Sequence, residues 1–286
     1  MIGFIGLGNM GAPMALNLAA AGHTVVGYDI TGRGPERVQM VGDIKSAVEG
    51  ADIVVTMLPN GQILRQVSAE CLPVMAQDSV FVDCSTVDVE SARAVSAAAE
   101  KAGVAMLDAP VSGGVSGAEA GTLTFMVGGP TEAFARAEPL FEIMGARAVH
   151  CGDAGAGQSA KICNNMILGA TMAVTCEAFA LAEKLGLEAQ ALFDVVSTSS
   201  GQSWSTTTYC PVPGVGPVSP ADRGYRPGFA AELMLKDLRL SQQAAAGVAA
   251  ETPMGARATS LYEDYIAQGH KDKDFSALFE WLQNRS

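Results

Sequence analysis

Positive charge is scarce in this sequence. Its 18 lysines and arginines stand against 30 acidic residues, giving a net charge of -12 and a pI near 4.6. Nucleic acids and anionic membrane surfaces are held through basic surface, so neither is expected as a partner. A small anionic substrate stays open, because the local field at a site can oppose the global charge. Histidine is rarer still: only His23, His150 and His270 occur, and none lies in a motif expected of a catalytic histidine. The six cysteines (Cys71, Cys84, Cys151, Cys163, Cys176 and Cys210) form no Cys-x-x-Cys pair and no Cys/His cluster. No metal site is therefore expected, and the thiols read as reduced, mostly buried side chains of a cytoplasmic protein. The longest uncharged run around the central helix, Lys161 to Glu177, is too short to span a bilayer and contains two asparagines, so it reads as a buried helix. The chain enters a strand at once from Met1-Ile2-Gly3-Phe4, and no signal or transit sequence is expected. Internal repeats and low-complexity tracts are absent, and the 32 glycines follow no period, which excludes a collagen-like architecture.

What the chain does have is apolar mass and punctuation. Of its 286 residues, 49% are hydrophobic and the mean hydropathy is +0.23, enough for one large or two medium domains with a substantial core. Ile2 to Leu7 is a short apolar strand running into Gly6-Leu7-Gly8-Asn9-Met10-Gly11. A helix pattern follows from Ala12 to Ala21, and a second strand, Thr24 to Tyr28, ends at Asp29. Strand, glycine-rich turn, helix and terminal acid in this order form the dinucleotide fingerprint. Gly6 permits the tight turn, Gly8 lets backbone approach a pyrophosphate, and Gly11 lets helix and strand pack closely. The helix N-terminus then offers free N–H groups to the phosphates. Asp29 would accept hydrogen bonds from a ribose 2′-hydroxyl and repel a 2′-phosphate, so NAD is expected. Arg33 and Arg37 lie just beyond it and keep NADP as the alternative.

Strand-like runs at Ile53 to Leu58, Ser79 to Asp83, Val104 to Ala109 and Leu123 to Val127 follow, the earlier ones separated by helical patterns. This alternation predicts a mostly parallel, doubly wound sheet, a Rossmann-type α/β fold. Leu58-Pro59 and Ser85-Thr86 fall at carboxyl ends of strands, where ligands bind in such sheets. Thr86 is thus a candidate cofactor contact, or an ordinary helix N-cap before Val87. In Asp108 to Gly114, Ser112 offers a hydroxyl, while Gly113 and Gly114 allow backbone N–H groups to converge on a carboxylate. After Gly157 the alternation stops and only helical patterns remain: Met166 to Leu185, Glu188 to Ser197, Phe229 to Ala249, Thr252 to Gln268, and a short one, Phe275 to Gln283. Tyr209 to Pro227, rich in proline and glycine, reads as a long ordered loop. The expected division is a dinucleotide-binding domain over 1–157 and an all-helical substrate and oligomerisation domain over 158–286, joined through a long central helix. That helix opens with Gly155-Ala-Gly-Gln-Ser-Ala-Lys161-Ile-Cys-Asn164-Asn165. Lys161 and Asn165 share one helix face. A helix N-terminus disfavours positive charge, which marks Lys161 as a candidate for chemistry rather than for surface.

Together these segments resemble the β-hydroxyacid dehydrogenase family over nearly the whole chain. Gly3 to Gly11 is similar to its N-terminal signature, Asp108 to Gly114 to its substrate-carboxylate loop, Gly155 to Asn165 to its catalytic lysine segment, and Lys236-Asp237-Leu238 to its C-terminal motif. Trp204 to Val215 is similar to an aromatic, proline-rich stretch of its 3-hydroxyisobutyrate dehydrogenase branch, which usually has Asn where Cys210 stands. The resemblance implies NAD-dependent oxidation of 3-hydroxyisobutyrate to methylmalonate semialdehyde in valine breakdown. Related acids or semialdehydes (tartronate, glyoxylate, succinic semialdehyde) are alternatives, and a non-catalytic binding module is the remote one. It implies that Lys161 assists deprotonation, that Asn165 hydrogen-bonds substrate, and that Ser112, Gly113 and Gly114 hold its carboxylate. It also implies a cofactor contact for Lys236 and a homo-oligomer, dimer or tetramer. Asp237 is left equally open as a structural partner or a site residue.

Overall fold

The computed structural model describes residues 1–284. They form two compact units, Met1–Lys161 and a second from Ile162 on, so the division falls a helical turn beyond the expected 157/158. The first turn of the central helix is built into the sheet unit by hydrogen bonds from its own backbone, as described below.

In the first unit, β1 (Ile2–Ile5), α1 (Gly11–Ala20), β2 (Val25–Tyr28), β3 (Gln39–Met40), α2 (Ile44–Val48), β4 (Ile53–Thr56), α3 (Gly61–Cys71), β5 (Val80–Asp83), α4 (Val89–Lys101) and β6 (Ala105–Asp108) alternate as the pattern predicts. They are followed by β7 (Val111–Ser112), α5 (Gly114–Ala120), β8 (Leu123–Gly128), α6 (Thr131–Met144) and β9 (Gly145–Gly152). The sheet order is β3-β2-β1-β4-β5-β6-β8-β7, with β9 also paired to β8. From β3 to β6 every neighbour is parallel, and β8 then runs antiparallel to β6 and β7. Between β6 and β8 the chain holds a two-residue strand and the seven-residue α5, and β8 turns back to pair antiparallel first with that strand, at Thr124 and Phe125, and then with β6, at Gly128.

Strands β1, β4 and β5 are buried at every position, which is why they read as continuous apolar runs without alternation. Their side chains feed two cores. Phe4, Val55, Val82 and Leu107 pack with Met14, Leu18 and Phe141. Ile5, Val54, Phe81 and Met106 point the other way, among Val48, Leu64 and Val95, giving helices on both faces. The adjacent carboxyl ends of the parallel strands β5 and β6 place Asp83 and Asp108 in register.

The helix α7 (Ala156–Lys184) runs from the first unit into the second, earlier at its start than the Met166 pattern. Beyond it lie α8 (Ala189–Val196), α9 (Trp204–Thr207), α10 (Ala231–Gly247), α11 (Pro253–Ala267) and α12 (Leu278–Gln283), with single 3-10 turns at Pro220–Arg223 and Phe275–Ala277. By length and composition α7 could cross a membrane, but half of its apolar window is buried within the protein. It also carries the buried polar residues Gln158, Lys161 and Asn165, the mark of a core helix rather than a lipid-facing one. The helical unit closes on Tyr262, Tyr265, Phe275, Leu278 and Trp281. Its 209–227 connection is ordered by Ser219, whose hydroxyl donates to the Cys210 carbonyl at 2.8 Å while Asp222 completes a capping box.

Candidate active site

The glycine-rich turn carries three different constraints. A Cβ on Gly6, whose φ is +91°, would stand 2.3 Å from the Met57 carbonyl oxygen, and one on Gly11 would stand 1.9 Å from that of Gly6. Gly8 is the opposite case: nothing lies within 4 Å of where its Cβ would point. The turn is thus closed beneath and open above, the shape that a pyrophosphate approaching the backbone needs. Over it lies a cleft of about 610 Å³ lined by Leu7, Gly8, Asn9, Ala12, Pro13, Thr31 and Arg33. Met10 stands at the N-cap of α1 without a side-chain capping bond; the Ala12 N–H is taken by the Gly8 carbonyl at 3.0 Å and Pro13 has no N–H, which leaves the Gly11 N–H as the open donor of the first turn.

Asp29, at the end of β2, is bound into the same turn. Its Oδ2 accepts the Leu7 N–H at 2.8 Å, and its Oδ1 accepts the Thr31 N–H at 2.9 Å and hydroxyl at 2.6 Å. Burial pushes this carboxyl up, but the bonds from Thr31 and Leu7 outweigh it and hold it below the ordinary carboxylate range. Oδ2 keeps a lone pair for a further donor such as a ribose hydroxyl. These features fit a dinucleotide, with Arg33 on the cleft wall as the one basic group there.

The carboxyl rim of the sheet is tied together by polar groups the sequence reading passed over. Asp83 Oδ1 accepts from the Thr56 hydroxyl (2.8 Å), the Ser85 hydroxyl (2.5 Å) and the Ser85 N–H (3.2 Å). Ser85 Oγ in turn accepts the Leu58 N–H at 2.7 Å, which fixes the Leu58-Pro59 segment after β4. Asp83 is fully buried, and desolvation, aided by the nearby Asp108 carboxyl, pushes it up to about 7 against the pull of the Ser85 and Thr56 bonds. Asp108 Oδ1 accepts the Gly155 N–H at 2.7 Å and Oδ2 the Gln158 N–H at 2.9 Å. A carboxylate thereby caps α7 from a distant strand, complementing its dipole. Burial raises the Asp108 carboxyl, and the backbone bonds from Gln158 and Gly155 only partly oppose it. Gly157 explains its own identity: a Cβ there would lie 2.3 Å from the carbonyl oxygens of both Asp108 and Met126. One turn further along this sewn-down helix start comes Lys161, 7% exposed.

Thr86 is not a helix N-cap. Helix α4 begins at Val89, and Asp88 caps it through the Ser91 N–H at 2.7 Å, since an aspartate side chain there reaches the third helical N–H. Thr86 instead stands between two backbone groups held by Gln158, whose Nε2 donates to the Ser85 carbonyl at 2.7 Å and whose Oε1 accepts the Val87 N–H at 3.1 Å. Ser112 ends β7 on the sheet edge beside Thr124 of β8. Gly113 and Gly114 follow with φ of +133° and +64° at the start of α5, a backbone turn that leaves first-turn N–H groups unused by the helix. The histidines are otherwise engaged where the structure shows partners: His150 Nε2 lies 2.8 Å from the Gly129 carbonyl oxygen, and His270 stacks on Tyr265. Among the described residues no group of three or more His, Cys, Asp or Glu side chains is placed to hold a metal ion.

In the helical unit, Asn165, Lys236 and Asp237 come together. Asn165 is 2% exposed. Its Nδ2 donates to Asp237 Oδ2 at 2.5 Å, while its Oδ1 accepts from Asn164 Nδ2 at 3.0 Å. Asp237 Oδ1 is buried without a hydrogen bond and faces Lys236 Nζ at 3.6 Å, an ionic contact too long to count as a hydrogen bond. Asp274, unnoticed in the sequence, organises the aromatic region: its Oδ2 accepts from the Tyr209 hydroxyl (3.0 Å) and from the N–H groups of Gly228 (3.0 Å) and Phe229 (3.1 Å). Trp204 stacks on Tyr209 at 4.8 Å and Phe229 meets Phe275 edge-on at 5.7 Å. Asp83, Asp108 and Gln158 share one signal, a polar residue inside an apolar or glycine-rich run, whereas Asp274 is masked by the charged residues Lys271, Asp272 and Lys273 before it; for all four, sequence spacing does not disclose the partners.

Two family models cover the chain in succession: the NAD binding domain of 6-phosphogluconate dehydrogenase over residues 1–152, and the NAD-binding part of NADP-dependent 3-hydroxyisobutyrate dehydrogenase over 155–282. A probable 3-hydroxyisobutyrate dehydrogenase of Mycobacterium bovis is 47% identical over 100% of this chain and 98% of its own. An NAD-dependent L-serine dehydrogenase of Pseudomonas aeruginosa is also 47% identical, over 97% of this chain and 96% of its own. The solved 3-hydroxyisobutyrate dehydrogenase of Mycobacterium tuberculosis with L-serine superposes with a TM-score of 0.94 at 47% identity, covering 100% of this chain and 99% of that one. The chain belongs to the 3-hydroxyisobutyrate dehydrogenase family of NAD-dependent oxidoreductases acting on CH–OH groups.

Proposed function

We propose that this enzyme oxidises 3-hydroxyisobutyrate to methylmalonate semialdehyde in valine catabolism, with Lys161 assisting removal of the hydroxyl proton. The observation that carries this reading is a nearly buried lysine on a helix start fixed by Asp108 and Gln158 to the rim of a dinucleotide-binding sheet. An alcohol that loses hydride must also lose its hydroxyl proton, and a positioned base supplies that path. Bound NAD takes the hydride. Asn165, held by Asp237, offers an oriented amide to the substrate. The backbone at Ser112, Gly113 and Gly114 receives the carboxylate, and Thr86, Leu58, Pro59 and Lys236 contact the cofactor. Asp29 favours NAD over NADP, since a 2′-phosphate would meet its carboxylate.

L-serine is the second reading. It shares the β-hydroxy acid skeleton and differs by an α-ammonium in place of the α-methyl, and it is named with two of the similar proteins. The oligomer is a homodimer or homotetramer, as the stripe of exposed Ile167, Val174 and Leu181 on α7 supports. A cytoplasmic location completes the reading. Steady-state kinetics with 3-hydroxyisobutyrate, L-serine and unbranched hydroxy acids, each with NAD and NADP, tests it. The highest kcat/KM is expected for 3-hydroxyisobutyrate with NAD, and a strong preference for an unbranched acid or for NADP overturns it.

A further inference from the structure

Gln158 is 0% exposed and lies within the first turn of α7. Its side chain does to the Ser85–Val87 loop what a neighbouring strand would do. One amide end donates to the Ser85 carbonyl and the other accepts from the Val87 N–H, so the peptide groups on both sides of Thr86 are gripped by a single side chain. Its own backbone N–H is meanwhile fixed to Asp108. Through Ser85 the same connection reaches the Leu58 N–H. The loops that follow β4 and β5 are thereby held to the helix turn that leads into Lys161 by hydrogen bonds within the sheet unit, buried at Gln158 and part-buried at Leu58. Such bonds are strongly directional and costly to leave unmade, so they fix positions rather than merely add stability.

We propose that Gln158 is a positioning residue for the reaction: it sets the register between the cofactor-side loop at Thr86 and the lysine one turn further along its own helix. The proposal rests on the assignment of Lys161 to proton transfer and of Thr86 to the cofactor. Reacting groups misplaced by about 1 Å lose roughly 100-fold in rate, which bounds the effect.

Two substitutions in the full-length enzyme test it. Gln158→Met keeps length and loses both hydrogen bonds, while Gln158→Glu keeps the acceptor for the Val87 N–H and can donate to the Ser85 carbonyl only through a protonated carboxyl, so assays are run at pH 6 and 8. For each, kcat, the KM values for NAD and hydroxy acid, and the melting temperature are measured, with Lys161→Ala run in parallel. Gln158→Met is expected to lower kcat by about 10- to 100-fold and to weaken NAD, with the hydroxy-acid KM within about threefold because Ser112 to Gly114 are untouched. Gln158→Glu is expected to lie between it and the parent, and it decides alone where Gln158→Met does not fold. A lower melting temperature with kcat and NAD KM within twofold of the parent would make Gln158 purely structural and overturn the proposal. If Lys161→Ala retains full turnover, the lysine assignment fails whatever Gln158 shows; if Lys161→Ala is inactive and the Gln158 variants keep parental kinetics, only the positioning role fails.

Discussion

Replacing Asp83 by Asn should reshape how stability depends on pH. Asp83 is fully buried, and its carboxyl is raised from 3.8 to about 7 by desolvation first, with Asp108 adding to it. Between these values the unfolded chain has released the proton and the folded chain retains it. Stability contributed by the neutral carboxyl is therefore lost as pH rises from about 4 through 7, and the loss is complete by about pH 8. A shift of roughly 3 units corresponds to about 4 kcal/mol as an upper figure, or about 1.4 kcal/mol per pH unit inside the window. The amide is neutral at every pH. Its oxygen can accept the three bonds that Asp83 Oδ1 takes from Thr56 and Ser85, and its nitrogen replaces the Oδ2 that has no hydrogen-bond partner. The unmatched N–H costs about 1–3 kcal/mol, independent of pH. Urea unfolding of parent and variant at pH 5, 6, 7 and 8 isolates the effect, because most other titrating groups cancel in the difference. The parent should lose about 1–1.4 kcal/mol per unit relative to Asp83→Asn between pH 5 and 7, and nothing further above 8. A difference constant to within about 0.5 kcal/mol across the range would show that Asp83 ionises normally and refute the reasoning.

The cradle makes a paired prediction. Gly8→Ala should leave stability within about 0.5 kcal/mol yet weaken NAD by about tenfold or more, because its methyl occupies only the open side of the turn. Gly11→Ala should instead unfold at markedly lower denaturant, its Cβ meeting the Gly6 carbonyl; melting curves with and without NAD separate the two. Lys161→Ala is expected to lower kcat by about 10²- to 10⁴-fold with the NAD dissociation constant, read by fluorescence titration, little altered. Asp237→Ala should cost about 1–3 kcal/mol in chemical denaturation by stranding the Asn165 amide, whereas Asp237→Asn, which can still accept that bond, should cost less; equal losses would mean that charge rather than the Asn165 bond matters.

What was legible in the sequence was what is local. Gly6, Gly8 and Gly11 announced the cradle because each answers to atoms within the same strand–turn–helix unit. The buried parallel strands were visible as unbroken apolar runs, and α11 (Pro253–Ala267) lies within a residue of the expected Thr252 to Gln268 at both ends. Less legible were elements too short to show a period, such as β3, β7 and α5. The direction of β8 was also hidden, since it shows only in its antiparallel pairing with β6 and β7. Thr86 was weighed as a cap because threonine suits that position, but Asp88 is nearer the helix and its backbone is extended, as a cap requires. Asp108 was read only as part of a loop; its partners Gly155 and Gln158 lie 47 and 50 residues away, a pairing that exists only once β6 and α7 meet.

The in-register pair Asp83 and Asp108 has a consequence for how this rim can change over time. Thr56, Ser85, Gln158 and the two acids share partners, so substitutions among them should not be additive. Losing Asp108 alone strands backbone donors of α7, and losing Asp83 alone strands the Thr56 and Ser85 hydroxyls. A replacement tolerated in one background would be ruinous in another. Drift at these positions is therefore confined to concerted exchanges, and transplanting any one of them into a relative should fail more often than transplanting the whole group.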